Sequence, residues 1–373
     1  MGNFGFLNND ICFNVLSRLP TKDLLRLKCV CKLWCQLISD RIFRQVLSPR
    51  REPISGFFFL QKYHWYSDDI RTIGYISVER QSAGLCQPVF NFLPEDVKVL
   101  ASCNGLICCR SSFLSQDPAL YVCNPLSKEW IRVNWTKPDI VASIGLACDP
   151  CQDTTNSLNN FKLVSVQLVE TCPEDPYFSF NIYSSITGLW VKSEEISSCG
   201  GNLYANKVIF VKGYLYWLSN IAEILEFDVE NEISSLIAIP FPNLDMESDL
   251  LYAPCIGESN GQLHFILVSD DGLLHIWTLE DFGWNFKCSR SLEVIFEEHP
   301  SLRCKSDIMW LTEALAFKDG YLLMKDCSNI YLYNVETNKM DKVLPTSELH
   351  EYSFGSCSTA LTYSMSLVPL NSA

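Results

Sequence analysis

The chain is poor in the residues and motifs that chemistry on a substrate usually needs. Only five histidines occur among 373 residues, and His64, His264, His275, His299 and His350 are scattered. There is no G-x-x-x-x-G-K-S/T phosphate loop, no G-x-G-x-x-G after a strand, no G-x-S-x-G elbow and no H-E-x-x-H pair, so the commonest catalytic signatures are missing. No apolar run reaches the roughly 18 to 20 residues needed to span a bilayer, so no membrane partner is expected. The N-terminus also lacks a basic segment followed by an apolar run and a small-residue cleavage site. The eighteen cysteines are therefore expected to be reduced thiols in the cytoplasm, the nucleus or both. Most stand in apolar runs such as Leu106-Ile107-Cys108-Cys109 and Tyr121-Val122-Cys123, where a thiol behaves as a small hydrophobe. Cys148-Asp149-Pro150-Cys151 has neither a second pair nor a neighbouring His, which makes it a weak zinc or redox signal. No metal and no cofactor are expected.

Positive charge is scarce beyond the first fifty residues. Residues 1 to 51 carry nine Lys or Arg against three Asp or Glu, leaving 20 basic and 40 acidic residues for the remainder. A body that acidic is a poor ligand for nucleic acid, because phosphate contacts supply most of that affinity. The basic stretch is interleaved with apolar positions and suits an acidic protein partner. With 48% hydrophobic and 19% charged residues, the chain has ample material for a core.

What is present begins with a helical pattern between Leu7 and Leu47. Ile11, Val15, Leu16 and Leu19 recur at helical spacing; after Pro20 the pattern resumes with Leu24, Leu25, Leu27, Val30, Leu33, Trp34, Leu37 and Ile38. Two or three short helices follow, with caps expected at Asn8 or Asn9, at Thr21, and at Asp40 for a last turn through Ile42, Phe43, Val46 and Leu47. About forty residues lie near the lower limit for independent folding, so the excess of apolar positions predicts a docking face.

These residues resemble an F-box. Leu7-Asn8-Asn9-Asp10-Ile11-Cys12-Phe13-Asn14-Val15-Leu16-Ser17-Arg18-Leu19-Pro20 is similar to its opening, with Asn8 where most F-boxes have proline. Cys29-Val30-Cys31-Lys32-Leu33-Trp34 and Leu37-Ile38-Ser39-Asp40 are similar to its second half. The resemblance implies a Skp-type adaptor as partner, and through it a cullin-RING ubiquitin ligase. The contacts it implies are Leu7, Ile11, Val15, Leu16, Leu19, Pro20, Leu24, Val30, Cys31, Trp34 and Leu37.

Ser48-Pro49-Arg50-Arg51-Glu52-Pro53 reads as a linker, which divides the chain into a helical domain over 1–48, a linker over 49–55 and a larger domain over 56–373. Beyond it, short runs rich in aromatic and β-branched residues, among them Gly56 to Leu60, Phe161 to Val169, Phe178 to Tyr183, Val208 to Val211, Leu263 to Val268 and Tyr321 to Met324, predict an all-β array. A two-part repeat runs through it. One part sets Gly before an apolar strand, at Asn104-Gly105, Lys212-Gly213, Asn260-Gly261 and Asp319-Gly320. The other ends a strand in a polar turn, at Asn124-Pro125, Ser184-Ser185, Asp228-Val229, Leu279-Glu280 and Asn334-Val335. A period of roughly 45 to 60 residues is that of four-stranded propeller blades, and about 320 residues make about six. Leu361, Tyr363, Met365 and Leu367 alternate as a closing strand would.

This half resembles the F-box-associated domain of plant F-box proteins, a kelch-related β-propeller family, through Ser102-Cys103-Asn104-Gly105-Leu106, Asn124-Pro125-Leu126, Gly213-Tyr214-Leu215-Tyr216-Trp217, Ile224-Leu225-Glu226-Phe227-Asp228 and His275-Ile276-Trp277-Thr278-Leu279. Trp130, Trp190, Trp217 and Trp277 are expected in the core between blades. The resemblance implies a non-catalytic substrate receptor: a small all-α F-box domain on the adaptor, and a propeller holding the protein to be ubiquitinated. Asp245, Glu247 and Asp249, after Pro240-Phe241-Pro242, are candidate target contacts. A propeller enzyme or carbohydrate-binding protein with a merely structural N-terminus is the rival reading, and an F-box scaffold outside the ligase is a third.

Overall fold

The fold is that of a computed structural model, which describes residues 9–47, 51–62, 70–79, 90–111, 118–135, 143–148, 160–169, 176–198, 201–221, 223–240, 254–281, 283–302, 312–326, 328–345, 358–367 and 369–370. Four short helices come first: α1 (Asn9–Leu16), α2 (Thr21–Leu27), α3 (Lys32–Ser39) and α4 (Arg41–Leu47). The starts of α2, α3 and α4 have local causes. Pro20 takes φ −59° and ψ 148° and itself fills the cap position of α2. Thr21, expected as that cap, is instead the first helical residue, and its hydroxyl donates to Glu52 Oε1 at 2.8 Å. Cys31 Sγ caps α3 by accepting from the Trp34 amide at 3.4 Å. Asp40 Oδ1 accepts from the Ile42 and Phe43 amides at 2.9 and 3.3 Å, the capping role expected of it. Leu16, Leu24, Ile38, Phe43 and Leu47 close over a common core that also takes in Leu367, from the far end of the chain.

Antiparallel strands make up most of the rest. β1 (Gly56–Lys62) pairs with β2 (Ile70–Ser77). Three sheets of four consecutive strands follow. The first holds β3 (Val97–Cys103), β4 (Leu106–Ser111), β5 (Ala119–Asn124) and β6 (Glu129–Asn134). The second holds β7 (Ser143–Ala147), β8 (Lys162–Val169), β9 (Tyr177–Ser184) and β10 (Leu189–Ser198). The third holds β11 (Leu203–Val211), β12 (Tyr214–Ser219), β13 (Glu223–Asp228) and β14 (Ile233–Ala238). Then come β15 (Cys255–Ser259), β16 (Gln262–Val268), β17 (Leu273–Glu280) and β18 (Gly283–Ser291). After α5 (Leu292–Glu298), β19 (Glu313–Lys318), β20 (Tyr321–Lys325), β21 (Asn329–Asn334) and β22 (Lys339–Pro345) complete another run of four. These last two runs share one sheet because β15 and β19 pair in parallel at Gly257↔Phe317 and Glu258↔Lys318. Glycine is needed there, since a Cβ on Gly257 would lie 2.4 Å from the Phe317 carbonyl oxygen. Finally β23 (Ser358–Tyr363) returns to pair with β1, from Gly56↔Tyr363 to Gln61↔Ser358. The C-terminal strand thus covers the edge that the N-terminal hairpin would otherwise expose. It stops at Tyr363, short of the Met365 and Leu367 positions that the alternation had included.

The repeated turns work as their residues dictate. Asn104-Gly105, Lys212-Gly213, Asn260-Gly261 and Asp319-Gly320 all hold two successive positive φ values, from 44° to 52° at the first residue and 71° to 95° at the glycine. That pair of angles matches the right-handed twist of a two-residue hairpin. In the other turn a side chain folds back on its own backbone: Asn124 Oδ1 takes the Leu126 and Ser127 amides, Asp228 Oδ1 the Glu230 and Asn231 amides, and Asn334 Oδ1 the Thr337 amide. Both kinds join odd strands to the next even one, so both lie at the same end of the sheets.

Trp217 and Trp277 are buried in the core as expected. Trp130 is not, being 40% exposed, and Trp190 is half-buried. Both occupy the second residue of the last strand of a sheet, where one face meets solvent. Trp190 Nε1 donates to the Asn134 carbonyl at 3.0 Å, and Trp284 Nε1 to the Ala238 carbonyl at 2.8 Å. Each indole therefore ties its strand to the end of the preceding sheet's last strand, a use of the polar edge of an otherwise apolar ring.

Candidate docking surface

The helical segment keeps one aliphatic set inside and another outside. On α1, Cys12 and Leu16 are buried four residues apart, which turns Ile11 and Val15, also four apart, to solvent at 51% and 56% exposure. Val30 follows at 63%. Pro20 and Cys31 are exposed, while Leu19, Trp34 and Leu37 are half-buried against the helical core. Two expected contacts need correction: Leu16 and Leu24 are 2% and 0% exposed. They are spent on packing α1 and α2 together and have no surface to offer. Leu7 lies outside the described residues. Leu33, Ile42 and Val46 were not among the expected contacts and stand 41%, 66% and 51% exposed. For the last two, the spacing of four on α4 was the available signal. Six large aliphatic side chains open to water on so short a segment exceed what a solvated face needs.

This segment is mounted on the sheets by ionic and backbone contacts. Arg44, 9% exposed, sends Nη1 and Nη2 to the two carboxylate oxygens of Glu129 at 2.7 and 2.6 Å, and its Nε to the Leu367 carbonyl at 2.9 Å. Glu129 also accepts from Ser127 Oγ at 3.0 Å and the Leu370 amide at 3.2 Å. Burial pushes this carboxyl up, but the Arg44 bonds and charge, with the Leu370 and Ser127 donors, outweigh burial and hold it below the ordinary carboxylate range. Burial, together with the Arg44 charge, lowers the Lys28 ammonium.

Residues 51–55 are pinned as well. Ile54 N donates to Asp319 Oδ2 at 2.8 Å, Ser55 N to the Tyr363 carbonyl at 2.8 Å, and the Val78 amide to Ser55 O at 3.1 Å. Burial pushes the Asp319 carboxyl up. Beneath this strap a cavity of about 410 Å³ is lined by Arg51, Ser102, Glu258, Lys318, Asp319 and Ser364, among others. Its charges are largely satisfied from within, for Glu258 meets Arg51 at 3.4 Å, Lys318 at 3.5 Å and the Gly261 amide at 2.7 Å.

The described residues bring one hydroxyl to an imidazole, Ser269 Oγ to His275 Nε2 at 3.1 Å. Asp271 accepts from that same hydroxyl, so the acid sits on the serine, where it cannot orient the ring for proton relay. His264 and His275 lie in strands as expected, and burial lowers both imidazoles. Among the described residues no group of three or more His, Cys, Asp and Glu is placed to hold a metal ion, and no helix is long and apolar enough to cross a membrane. Cys148 is buried, with its carbonyl taken by Asn104 Nδ2 at 2.6 Å. Cys151, Asp245, Glu247 and Asp249 lie outside the described residues.

Comparison with known proteins accounts for this architecture. A family model described as "F-box protein At3g26010-like, beta-propeller" matches residues 75–311, more than half the chain. The chain belongs to this family of F-box β-propeller proteins. The F-box domain model matches residues 6–45, the segment that carries five of the six exposed aliphatic side chains. Members of the wider group include the F-box protein At5g49610 of Arabidopsis thaliana, 28% identical over 77% of this chain and 79% of that protein. The F-box/kelch-repeat protein At3g23880 of the same plant is 23% identical over 84% of this chain and 86% of its own length. The solved AfRom2 CNH domain is similar at 12% identity and a TM-score of 0.34, over 79% of this chain and 85% of that one, a likeness too loose to bear on the fold. The family assignment makes the chain a short helical F-box followed by a β-propeller.

Proposed function

We propose that the chain is a substrate receptor of an SCF-type cullin-RING ubiquitin ligase, without catalytic activity of its own. F-box domains dock on Skp-type adaptors, and the observation that carries the reading is the exposure of Ile11, Val15 and Val30 within the segment matched as an F-box. The domains are 1–48, 49–55 and 56–373, with residues 51–55 of the middle stretch forming a pinned strap. The propeller has six blades: five runs of four strands, and a sixth of β23, β1 and β2 in that order. This count is supported by the first strands of successive runs lying side by side and by β23 standing between β19 and β3. The site of action is the cytoplasm, the nucleus or both, with the thiols of Cys108, Cys109 and Cys123 serving as core packing.

The target protein binds the end of the propeller away from the F-box. The helices pack beside the turns that join odd strands to even ones, through Leu126 and Glu129. The opposite end carries the even-to-odd connections; Asp245, Glu247 and Asp249, the candidate target contacts, fall in sequence between β14 and β15. The acidic balance of residues 52–373 suits a partner with basic surface.

The test is capture of a purified Skp-type adaptor by the full chain and by Val15→Glu and Val30→Glu. A charge in the centre of an apolar contact costs roughly 2 kcal/mol or more, a factor of about thirty. Lost capture with an unchanged melting temperature supports the reading, and undiminished capture by both variants overturns it. The target face is tested by the association rate of a co-purified target against salt, for wild type and for Asp245→Asn, Glu247→Gln and Asp249→Asn combined. Equal salt slopes remove this connection as the steering site.

A further inference from the structure

The first strands of the runs lie side by side with β23, and the cavity of about 410 Å³ sits where they end, beneath Arg51, Glu52 and Pro53. Its walls come from the last residues of β3, β11, β15, β19 and β23 and the turns that follow. Two or three residues earlier on those strands, Val208, Ile256, Leu315 and Leu361 line a second void of only about 30 Å³, and Ser102, Ile209 and Thr362 belong to both. The cavity is thus a cup with polar walls above aliphatic packing. Its volume falls within the roughly 300–1,000 Å³ of sites that hold small molecules.

The ionic groups of this cup balance. Arg51 and Lys318 both meet Glu258, at 3.4 and 3.5 Å, and Asp319 Oδ2 accepts from the Ile54 amide. Lys212 and Glu336 add one charge of each sign, while Glu52 is committed to Thr21 Oγ1 at 2.8 Å. A cationic or anionic ligand attracted by one member of such a set is repelled by its neighbour, so the walls select against net charge. A hydroxyl, in contrast, donates to a carboxylate and accepts from an ammonium at once. Ser364 is an independent observation. It lines the cup, is only 4% exposed, and its Oγ finds no hydrogen-bond partner among the described residues. A buried hydroxyl left unpaired costs free energy, and a neutral polar group within the cup removes that cost.

We propose that this cup is a binding site for a small neutral polyol, a sugar or cyclitol. Its hydroxyls bridge Glu258 and Lys318 and pair with Ser364 Oγ, and its C–H face lies against Ile209 and Phe210. The site goes beyond the receptor reading above and stands whether or not the helices capture an adaptor. Binding also reaches the helical segment. The roof of the cup is the strap that leads away from α4, and its Glu52 holds Thr21 at the start of α2, so an occupied cup braces the strap from below.

The experiment titrates the full chain with D-glucose, sucrose and myo-inositol, and with glucuronate and protonated glucosamine as charged counterparts. Binding is read by saturation-transfer NMR and calorimetry, and the location by hydrogen exchange. At least one neutral probe should bind with a Kd on the order of millimolar or tighter, and exchange should slow at residues 51–55 and 362–366. The charged probes should bind at least about tenfold more weakly than the best neutral one. Ser364→Ala should melt no lower than wild type, since it removes an unpaired buried hydroxyl, yet bind that probe about fivefold more weakly or worse. Glu258→Gln should lose about tenfold, because it breaks the pairing that shares the ligand hydroxyls. Silence from all three neutral probes, slowed exchange confined to other segments, or full affinity in Ser364→Ala would overturn the site. Equal affinity for the charged probes would overturn the ligand class. Adaptor capture does not enter these readouts, so the site and the receptor reading fail separately.

Discussion

Arg44 and Glu129 form a two-pronged ion pair at 2.7 and 2.6 Å that joins α4 to the first residue of β6 across 85 residues of sequence. Both ends are further committed, Arg44 to the Leu367 carbonyl and Glu129 to Ser127 and Leu370. Such a pair fixes direction as well as distance, because the guanidinium plane must match the carboxylate plane. It therefore sets how the F-box is held relative to the propeller.

Replacing Arg44 by Ala should loosen that mount. Breaking a fully buried pair costs about 3–5 kcal/mol; here the Glu129 side chain is 35% exposed, so about 2 kcal/mol is expected after screening. Limited proteolysis should cut near residues 48–50 sooner in Arg44→Ala, and thermal unfolding should separate into two transitions. Arg44→Lys, which lacks the fork, should fall between.

The same pair predicts a pH response. Glu129 is held below the ordinary carboxylate range in the folded chain, so its contribution is present above the unfolded value of about 4.3 and is lost as pH falls through the folded value. Stability should be level near neutrality and decline in acid. In Glu129→Gln the acid decline should be shallower than in wild type, as read by denaturant titrations across pH.

Leu24→Ala should unfold the F-box by removing core, at about 2–5 kcal/mol, since Leu24 is fully buried. Val30→Ala, at a residue 63% exposed, should change stability by at most about 0.5 kcal/mol. Chemical denaturation of the two variants checks the division between packing and surface.

Gly105 and Gly188 both sit at positive φ, 87° and 68°, yet they should differ in tolerance. A Cβ on Gly105 would meet Ser366 Cβ at 2.3 Å, whereas Gly188 has nothing within 4 Å. Gly188→Ala should cost only the left-handed backbone term, about 1–2 kcal/mol. Gly105→Ala should cost that plus an overpacking penalty of about 1–3 kcal/mol. Melting temperatures of the two variants test the ordering.

Deleting the chain after Ser356 should remove β23 and uncover β1 along six paired positions, from Gly56 to Gln61. An uncovered edge strand recruits other chains, so the truncated protein should aggregate or become protease-sensitive. A truncated form with the melting midpoint and cooperativity of the intact chain would remove the closing role from β23.

Much of the local structure was legible because its causes are local. Leu24, Leu27 and Ile38 recur at helical spacing, Asp40 caps the turn after it, and the Asn-Gly, Lys-Gly and Asp-Gly pairs demand the positive φ values that close hairpins. Phe178 to Tyr183 falls within β9 and Leu263 to Val268 within β16 for the same reason, since β-branched and aromatic runs between turn residues suit a pleated, half-buried strand. Sequence alone thus determined the helical F-box, the alternation of strands and turns, and the segment expected to dock. Tertiary structure decided which apolar residues dock and how the parts are held. Val15 and Leu16 are adjacent aliphatic residues with equal claims from periodicity, and only the position of α2, α4 and Leu367 sends one to solvent and the other to the core. Trp130 was expected inside, like Trp217, as an aromatic filling the space between blades, but the last strand of a sheet has a single covered face. Arg44 meets Glu129 and Leu367, and Ser358–Tyr363 meets Gly56–Gln61, across separations of 85 to more than 300 residues. Propensities and caps act within one turn or hairpin, whereas pairings over such distances exist only once the whole core has brought their partners together.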